Sequence, residues 1–305
     1  FLVITHSNDK RTGIIMQKII MTGASGLVGS HLIPLLAKTC EIHMISRSKP
    51  STSIRNVRYH NIDLSGEVDY SQLPAKVDAI VYLAQSDNYR DFPAKAADVF
   101  QVNTSQVLHM LNYARRAGAR TFIYASSGGI YGSSETETGV SEDILVPANG
   151  KIGFYSSTKL CSEILAENFA PYMNIALLRF FFVYGRGQKR SMLIPRLVDN
   201  VLAGNSILLQ GQDGIKINPV HASDAAHAIQ AALTLEGCNR INVAGPEVLS
   251  LREICGLIGT NVGVQPVYQV EQTSHPQNLI GDIESMKKYL WEPRRHFEQG
   301  LVDLI

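Results

Sequence analysis

The chain has little of what marks several protein classes. Only four of its 305 residues are cysteine, at Cys40, Cys161, Cys238 and Cys255, and no two form a CxxC pair. Such scattered thiols suit a reducing, cytoplasmic compartment and point away from a disulfide framework or a cysteine zinc site. The histidines show no HxH or HxxxH spacing, so no metal site is expected, and His221, at an apolar-to-loop transition, reads as structural. Charge of one sign is not in excess. Lys and Arg total 28, Asp and Glu 27, and the net charge of +1 leaves no basic footprint for nucleic acid. Long apolar runs are missing too. The most apolar stretch, Ile175 to Tyr184, contains Arg179 and falls short of the ~20 residues that a membrane-spanning helix needs. Ser126 and Ser127 lack a G-x-S-x-G context, which argues against a serine hydrolase.

What remains is an ordinary globular composition, 45% hydrophobic and 18% charged, with ample core. The length exceeds one average domain and suits a dinucleotide-binding domain with a smaller companion. Residues 1–15 stand apart. Met16-Gln17-Lys18 reads as a natural start, and Phe1-Leu2-Val3-Ile4 is too short for a signal-peptide core and lacks a basic flank before it. That segment is expected to be a poorly ordered upstream extension.

Two stretches organise the rest. Thr22-Gly23-Ala24-Ser25-Gly26-Leu27-Val28-Gly29 joins an expected strand, Lys18–Thr22, to an expected helix, Ser30–Lys38, with Pro34 in its first turns. Gly23 permits the tight turn, Gly26 lets phosphates approach the backbone, and Gly29 allows close helix–strand packing. The helix start then supplies free N–H groups and partial positive charge for a pyrophosphate. The second stretch is Tyr155-Ser156-Ser157-Thr158-Lys159, on an expected helix from Phe154 to Tyr172. Residues four apart share a helix face, so Tyr155 and Lys159 lie side by side. A free phenol has a pKa of about 10, too high for a base at neutral pH. A neighbouring ammonium favours the phenolate and lowers that value. Ser127, closing the preceding strand, can hydrogen-bond a reacting oxygen while Tyr155 moves its proton.

Further strands are expected at Glu41–Ser46, Val57–Ile62, Ala79–Ala84, Thr121–Ala125 and Ile175–Phe181, with a long helix from Pro93 to Ala117. Strands alternating with helices imply an α/β fold with a parallel, doubly wound Rossmann sheet. After Gly185 the regularity breaks into short helices (Ile194–Ala203, Ser223–Leu235, Ser250–Ile258) and turns, read as a substrate lid with too few strands for a sheet domain of its own. The expected division places 16–185 and 217–245 in the dinucleotide-binding domain, and 186–216 and 246–305 in the smaller, interleaved substrate-binding domain.

Smaller signals sit at the strand ends. Asp63-Leu64 is placed to meet the adenine, or else Asp63 serves a turn or helix cap. At Leu83-Ala84-Gln85 small residues would let a cofactor lie close. Asn103 lies inside a helix, a disfavoured place that suits a bond to backbone near the site as well as a solvent-facing side chain. The second strand ends Met44-Ile45-Ser46-Arg47-Ser48 without a carboxylate. Arg47 can grip a ribose 2′-phosphate, which favours NADP over NAD, although a solvent-exposed loop Arg is the alternative.

With these motifs in view, the chain resembles the extended short-chain dehydrogenase/reductases, and among them the NAD(P)-dependent epimerase/dehydratase family. The resemblance runs from about Lys18 to Leu301 and rests on TGASGLVGSHL, LAQ, VNT, YASSGGIYG, YSSTK, LRFFFVYGRGQ, INPVHASDAAHAI and INVAGPEVLSLREI. It implies Tyr155 as catalytic acid/base, Lys159 tuning it and orienting the cofactor ribose, and Ser127 polarising the substrate oxygen. It implies an NAD(P) site on Gly23, Ser25, Gly26, Leu27, Val28, Gly29, Arg47, Asp63, Leu64, Leu83, Ala84, Gln85, Asn103, Tyr155, Lys159 and Phe180. Nucleotide-sugar substrates and homodimers are implied as well. Two positions depart from the pattern. Phe182 stands where many members have an Asn that contacts the nucleotide diphosphate, and Lys216 is the nearest candidate for a basic residue before the last conserved strand. Gly128-Gly129 occupies the place of the acidic pair of dehydratases, so epimerisation or reduction of a 4-keto sugar is favoured over dehydration. The alternatives are reduction of a non-nucleotide carbonyl compound, or a non-catalytic NAD(P)-binding sensor, which would not need all of Ser127, Tyr155 and Lys159.

Overall fold

A computed structural model describes residues 16–49, 52–146, 150–273 and 275–305. The extension expected at residues 1–15 lies outside the described residues. The first strand, β1 (Gln17–Thr22), runs into the glycine turn, and α1 (Leu27–Leu36) follows. This helix starts earlier than expected and ends two residues after Pro34, so the proline sits in its last turn rather than its first. Leu32, Ile33 and Leu36 form its buried face. Next come β2 (Cys40–Ser46), β3 (Val57–Asn61) and β4 (Ala79–Tyr82), the last buried at every position as a central parallel strand should be.

The long helix expected over 93–117 is three pieces. It comprises α2 (Ala96–Phe100), one π-helical turn (Gln101–Ser105) and α3 (Gln106–Arg116). Such turns recur where a helix must re-aim a side chain, and this one carries Asn103. Then follow β5 (Thr121–Ser127), α4 (Phe154–Glu167), β6 (Asn174–Phe180), α5 (Leu193–Leu202), β7 (Ser206–Gln210), β8 (Lys216–Ile217), α6 (Ala222–Ala232), β9 (Cys238–Val243), β10 (Leu249–Ser250), α7 (Leu251–Val262), β11 (Val267–Glu271), α8 (Glu284–Tyr289) and α9 (Phe297–Leu301).

Seven strands make one parallel sheet in the order β3-β2-β1-β4-β5-β6-β9. The seventh, β9, was not among the expected strands. Its first residues are polar and exposed, and only Ile241 to Val243 carry an apolar signal. Helices α1 and α6 cover one face, where Leu32 and Leu36 meet Ala225 and Ile229. The other face lies under α3 and α4, with Val107, Met110, Leu111 and Ala166 buried against Ile80 and Phe122. The order in which strands are added reverses between β1 and β4, so the connections leave in opposite directions there and open a crevice at the carboxyl ends.

Part of the later chain builds a separate core of Tyr184, Ile194, Val198, Ile207, Leu209, Ile254, Ile258, Phe297 and Leu301. Two short ladders accompany it, β7 parallel to β11 and β8 antiparallel to β10. The expectation of short helices and turns overlooked these strands. β7 and β11 alternate exposed and covered residues over only five positions each.

Candidate active site

The glycine turn is shaped by two contacts. Gly23 adopts φ +64°, and a Cβ there would lie 2.7 Å from the backbone of Leu83 and Ala84. A Cβ on Gly29 would meet Ala24 O at 2.5 Å, so the missing side chain lets the helix close onto the turn itself rather than onto the strand. At Gly26 only Gly23 O comes near, at 3.1 Å, and this backbone faces open space. The start of α1 has neither a capping side chain nor an acidic residue in its first turn. Its leading N–H groups are therefore left for an anion, and the helix dipole favours one.

These N–H groups open into a cleft of about 750 Å³ across the carboxyl ends of the strands. That volume suits a cofactor-sized ligand. Gly23, Ser25, Gly26, Leu27, Val28, Gly29, Arg47, Asp63, Leu64, Leu83, Ala84, Gln85, Ser127, Tyr155, Lys159 and Phe180 all line it. The described residues thus have the shape and donors for a dinucleotide.

At one end Asp63 closes a turn, its Oδ1 accepting from Ser65 N at 3.0 Å and Ser65 Oγ at 2.9 Å. Arg47 does not stand free. Its Nη2 donates to Asp87 Oδ2 at 2.6 Å, while Lys189 Nζ donates to Asp87 Oδ1 at 2.6 Å. Both cations hold the Asp87 carboxyl below its ordinary pKa.

At the other end Tyr155 and Lys159 project from α4. Lys159 is buried, donates to Ala125 O at 2.8 Å, and lies 5.9 Å from the centre of the Tyr155 ring. Burial lowers its pKa to about 7, against an opposing pull from Glu163. Glu163 is itself paired with the buried Arg179 at 2.7 Å. The Tyr155 phenol is held above its ordinary pKa, chiefly by desolvation and next by Tyr89, whose ring centre is 5.2 Å away; a hydrogen bond with Ser127 works in the other direction. In the unliganded protein the phenol is therefore protonated at neutral pH. Ser127 Oγ accepts from Gly129 N at 3.1 Å, which orients the hydroxyl. Tyr155 OH donates to Gln85 Oε1 at 3.0 Å.

Three expected site residues do not line the cleft. Asn103 is fully buried behind it, its Oδ1 accepting from Ser86 N at 3.0 Å and its Nδ2 donating to Thr158 Oγ1 at 3.1 Å. Phe182 packs between the core of the later chain and a small cluster around Ile130 and Phe181. Its φ of +41° is unusual for a residue with a side chain. Lys216 faces a separate polar cavity and pairs with Glu137 at 2.7 Å.

Conversely, Ser126, Asp87, Tyr89, Gln188, Lys189 and Met192 line the cleft and were not expected there. Ser126 Oγ is buried without a partner among the described residues. Its place beside Ser127 was the one signal that could have marked it. The others come from irregular loops, where no periodicity points to a common site. Among the described residues no cluster of three His, Cys, Asp or Glu side chains could hold a metal ion.

A doubly wound parallel sheet with an uncapped helix start at its switch point, and a Tyr–Lys pair across the same cleft, defines a dinucleotide-binding protein of the Rossmann class. Comparison narrows the class. Residues 19–244 match the NAD dependent epimerase/dehydratase family, and the chain belongs to that family of NAD-dependent epimerase and reductase enzymes. It is 27% identical over 272 residues to a dTDP-4-dehydro-6-deoxy-D-allose reductase of Streptomyces sp, covering 81% of this chain and 82% of the relative. It is 26% identical over 316 residues to YtcB, an uncharacterised UDP-glucose epimerase of Bacillus subtilis (strain 168), covering 95% and 97%. The fold is shared with the UDP-glucuronic acid 4-epimerase of Bacillus cereus in complex with NAD, at a TM-score of 0.80 and 23% identity over 93% of this chain and 94% of that one. MoeE5 in complex with UDP-glucose and NAD gives 0.78 and 24% over 94% and 97%.

Proposed function

We propose that this protein is a nucleotide-sugar oxidoreductase that moves a hydride at a sugar carbon, as an epimerase or a 4-keto-sugar reductase. The observation that carries the reading is the meeting of Ser127, Tyr155 and Lys159 at one end of a cleft whose other end is an open helix start. Gly23 to Gly29 hold the pyrophosphate, Asp63 and Leu64 flank the adenine, and Lys159 and Phe180 border the nicotinamide end. The bound nicotinamide supplies the hydride chemistry. Ser127 Oγ fixes the reacting oxygen, and Tyr155 takes or returns its proton. Lys159 donates to Ala125 O and stays beside the Tyr155 ring, where its charge favours the phenolate.

Arg47 supports NADP over NAD, because the end of β2 offers a cation and no carboxylate. Asp87 must release Arg47 for that bond to form. Dehydration fits least. Gly128 and Gly129 leave no acidic pair, and a Cβ at Gly128 would lie 2.5 Å from the Phe181 ring. Reduction of a non-nucleotide carbonyl compound is the second reading, favoured by Phe182 and Lys216 standing off the cleft. A sensor is disfavoured by the complete Ser127, Tyr155 and Lys159 set.

Residues 186–216 and 246–305 are assigned to the substrate-binding part, and 16–185 with 217–245 to cofactor binding. The exposed Phe100 and Ile164, on α2 and α4, support a homodimer built on these helices. All four cysteines are free thiols, which supports a cytoplasmic location, and among the described residues no helix is long and apolar enough to cross a membrane.

The direct test incubates the enzyme with UDP- and dTDP-linked hexoses and their 4-keto forms, with NAD⁺ or NADPH, and reads products by mass spectrometry. Turnover of a sugar nucleotide, lost in Tyr155→Phe, is expected. Turnover of free carbonyl compounds alone would favour the second reading.

A further inference from the structure

The carboxamide of Gln85 meets the hydroxyl of Tyr155 at 3.0 Å, and neither group arrives there by chance of a floppy loop. A closed circuit of bonds fixes their separation. Gln85 is followed by Ser86, whose N–H donates to Asn103 Oδ1 at 3.0 Å. Asn103 Nδ2 donates to Thr158 Oγ1 at 3.1 Å, and Thr158 Oγ1 donates back to Tyr155 O at 2.7 Å. On the strand side, Ala84 N donates to Thr22 Oγ1 at 3.1 Å, pinning the start of the loop to the end of β1. The π-helical turn that carries Asn103 aims its amide into this circuit. One amide thus ties the backbone of the Gln85 segment to the helix that carries Tyr155.

A carboxamide both donates and accepts through two ends that differ by a half-turn of one torsion. We infer that Gln85 is a positioning residue for the Tyr155 proton: its Oε1 accepts from the phenol, and, turned over, its Nε2 donates to the phenolate. Ser127, whose hydroxyl also bonds the phenol, is taken up by the reacting oxygen in the proposed reaction, which leaves Gln85 to serve both states. Lys159, on the same helix, has no acceptor. From β5 come Ser127, which the reacting oxygen engages, and the buried phenol of Tyr124; from the β4–α2 loop comes Tyr89, whose hydroxyl is turned to Met192 Sδ at 3.3 Å. The phenolate would otherwise form in a site where desolvation and Tyr89 both oppose it. The second donor offsets part of that cost. With the phenol hydrogen-bonded away before substrate arrives, Tyr155 is also kept from swinging out of the cleft.

The inference rests on Tyr155 being the acid/base of the proposed reaction, but its test does not need the substrate. The Tyr155 ionisation is isolated by ultraviolet phenolate titration of the NAD⁺-saturated enzyme, subtracting the same titration of Tyr155→Phe. Gln85→Glu places an acceptor-only carboxylate beside the phenolate and should raise the midpoint by about one pH unit or more, a tenfold change in the ionisation constant. Gln85→Ala removes the donor without adding charge and should raise it by less. NAD⁺ is kept saturating for each variant, with its affinity read separately by fluorescence, so that a change in cofactor binding at Gln85 does not enter the midpoint. A midpoint unmoved in both variants overturns the inference. If the midpoint moves as stated but no sugar nucleotide is ever turned over, Gln85 keeps its role and the proposed reaction is what fails.

Discussion

Arg47 and Asp87 form an ion pair at 2.6 Å across the mouth of the cleft, joining the end of β2 to the loop after β4. Lys189 holds the other carboxylate oxygen, so the loop before α5 enters the same bridge. All three side chains are largely exposed, and the bridge therefore contributes little to stability. Its interest lies in what displaces it.

A 2′-phosphate offers Arg47 a better partner than Asp87, and a charge-assisted bond of that kind is worth about 1.5–3 kcal/mol. Wild type is accordingly expected to bind NADPH more tightly than NADH. Arg47→Asp should weaken NADPH by roughly 10- to 100-fold and leave NADH nearly unchanged. Asp87→Asn, which frees Arg47, should tighten NADPH. Titration calorimetry on the three proteins decides the matter. Equal NADH and NADPH binding in wild type, unaltered by Arg47→Asp, would remove both the NADP preference and the tilt towards a reductase that follows from it.

Tyr155→Phe keeps the ring against Tyr89 and Lys159 but removes the hydroxyl. Turnover should drop by about 10²–10⁴-fold or more, with dinucleotide affinity close to wild type, because the hydroxyl contacts Gln85 and not the glycine turn. Single-turnover measurement on any accepted substrate checks this, and near-normal rates in the variant would sink the role of Tyr155.

These two predictions draw on residues whose local context is legible in the chain. A strand, a glycine turn and a helix follow one another without interruption from Gln17 to Leu36, and a Tyr–Lys spacing of four is self-evident on a helix. Asn103 shows the limit. Its placement in a helix was plain, but the π turn that aims it at Ser86 and Thr158 depends on packing between α3 and α4. The Gln85–Tyr155 contact, across 70 positions of sequence, depends on the sheet order and on the bonds through Asn103, neither of which is local. Asp87, Tyr89 and Lys189 sit in loops whose sequences carry no period. Strand β9 was hidden by its polar start, and β7 and β11 by their length.

Ile164 is 54% exposed on α4 and Phe100 48% exposed at the end of α2, two large apolar side chains facing solvent in a single chain. If these helices pair with a second copy, a charge at Ile164 is buried without a partner and the interface fails. Sedimentation at micromolar concentration is expected to show a dimer for wild type and a monomer for Ile164→Arg, with unchanged circular dichroism. A wild-type monomer would contradict the proposed assembly.

Lys159 supplies a prediction about pH. Its ammonium is buried, and its pKa falls to about 7 in the fold from about 10.4 in an unfolded chain. Between those values the unfolded state holds the proton that the native state has lost. Stability from this group therefore rises with pH across that window, by at most about 1.4 kcal/mol per pH unit, and is flat below it, where both states are charged. Lys159→Met has no such group. Urea unfolding of the cofactor-free proteins at pH 6, 7, 8 and 9 should show wild type gaining on Lys159→Met as pH rises, with the change per pH unit smallest between pH 6 and 7. The many other groups titrate alike in both proteins and cancel. A difference that stays constant from pH 6 to 9 would mean that Lys159 keeps its proton in the fold, held by Ala125 O and Glu163. In that case its full charge is present at neutral pH to act on Tyr155.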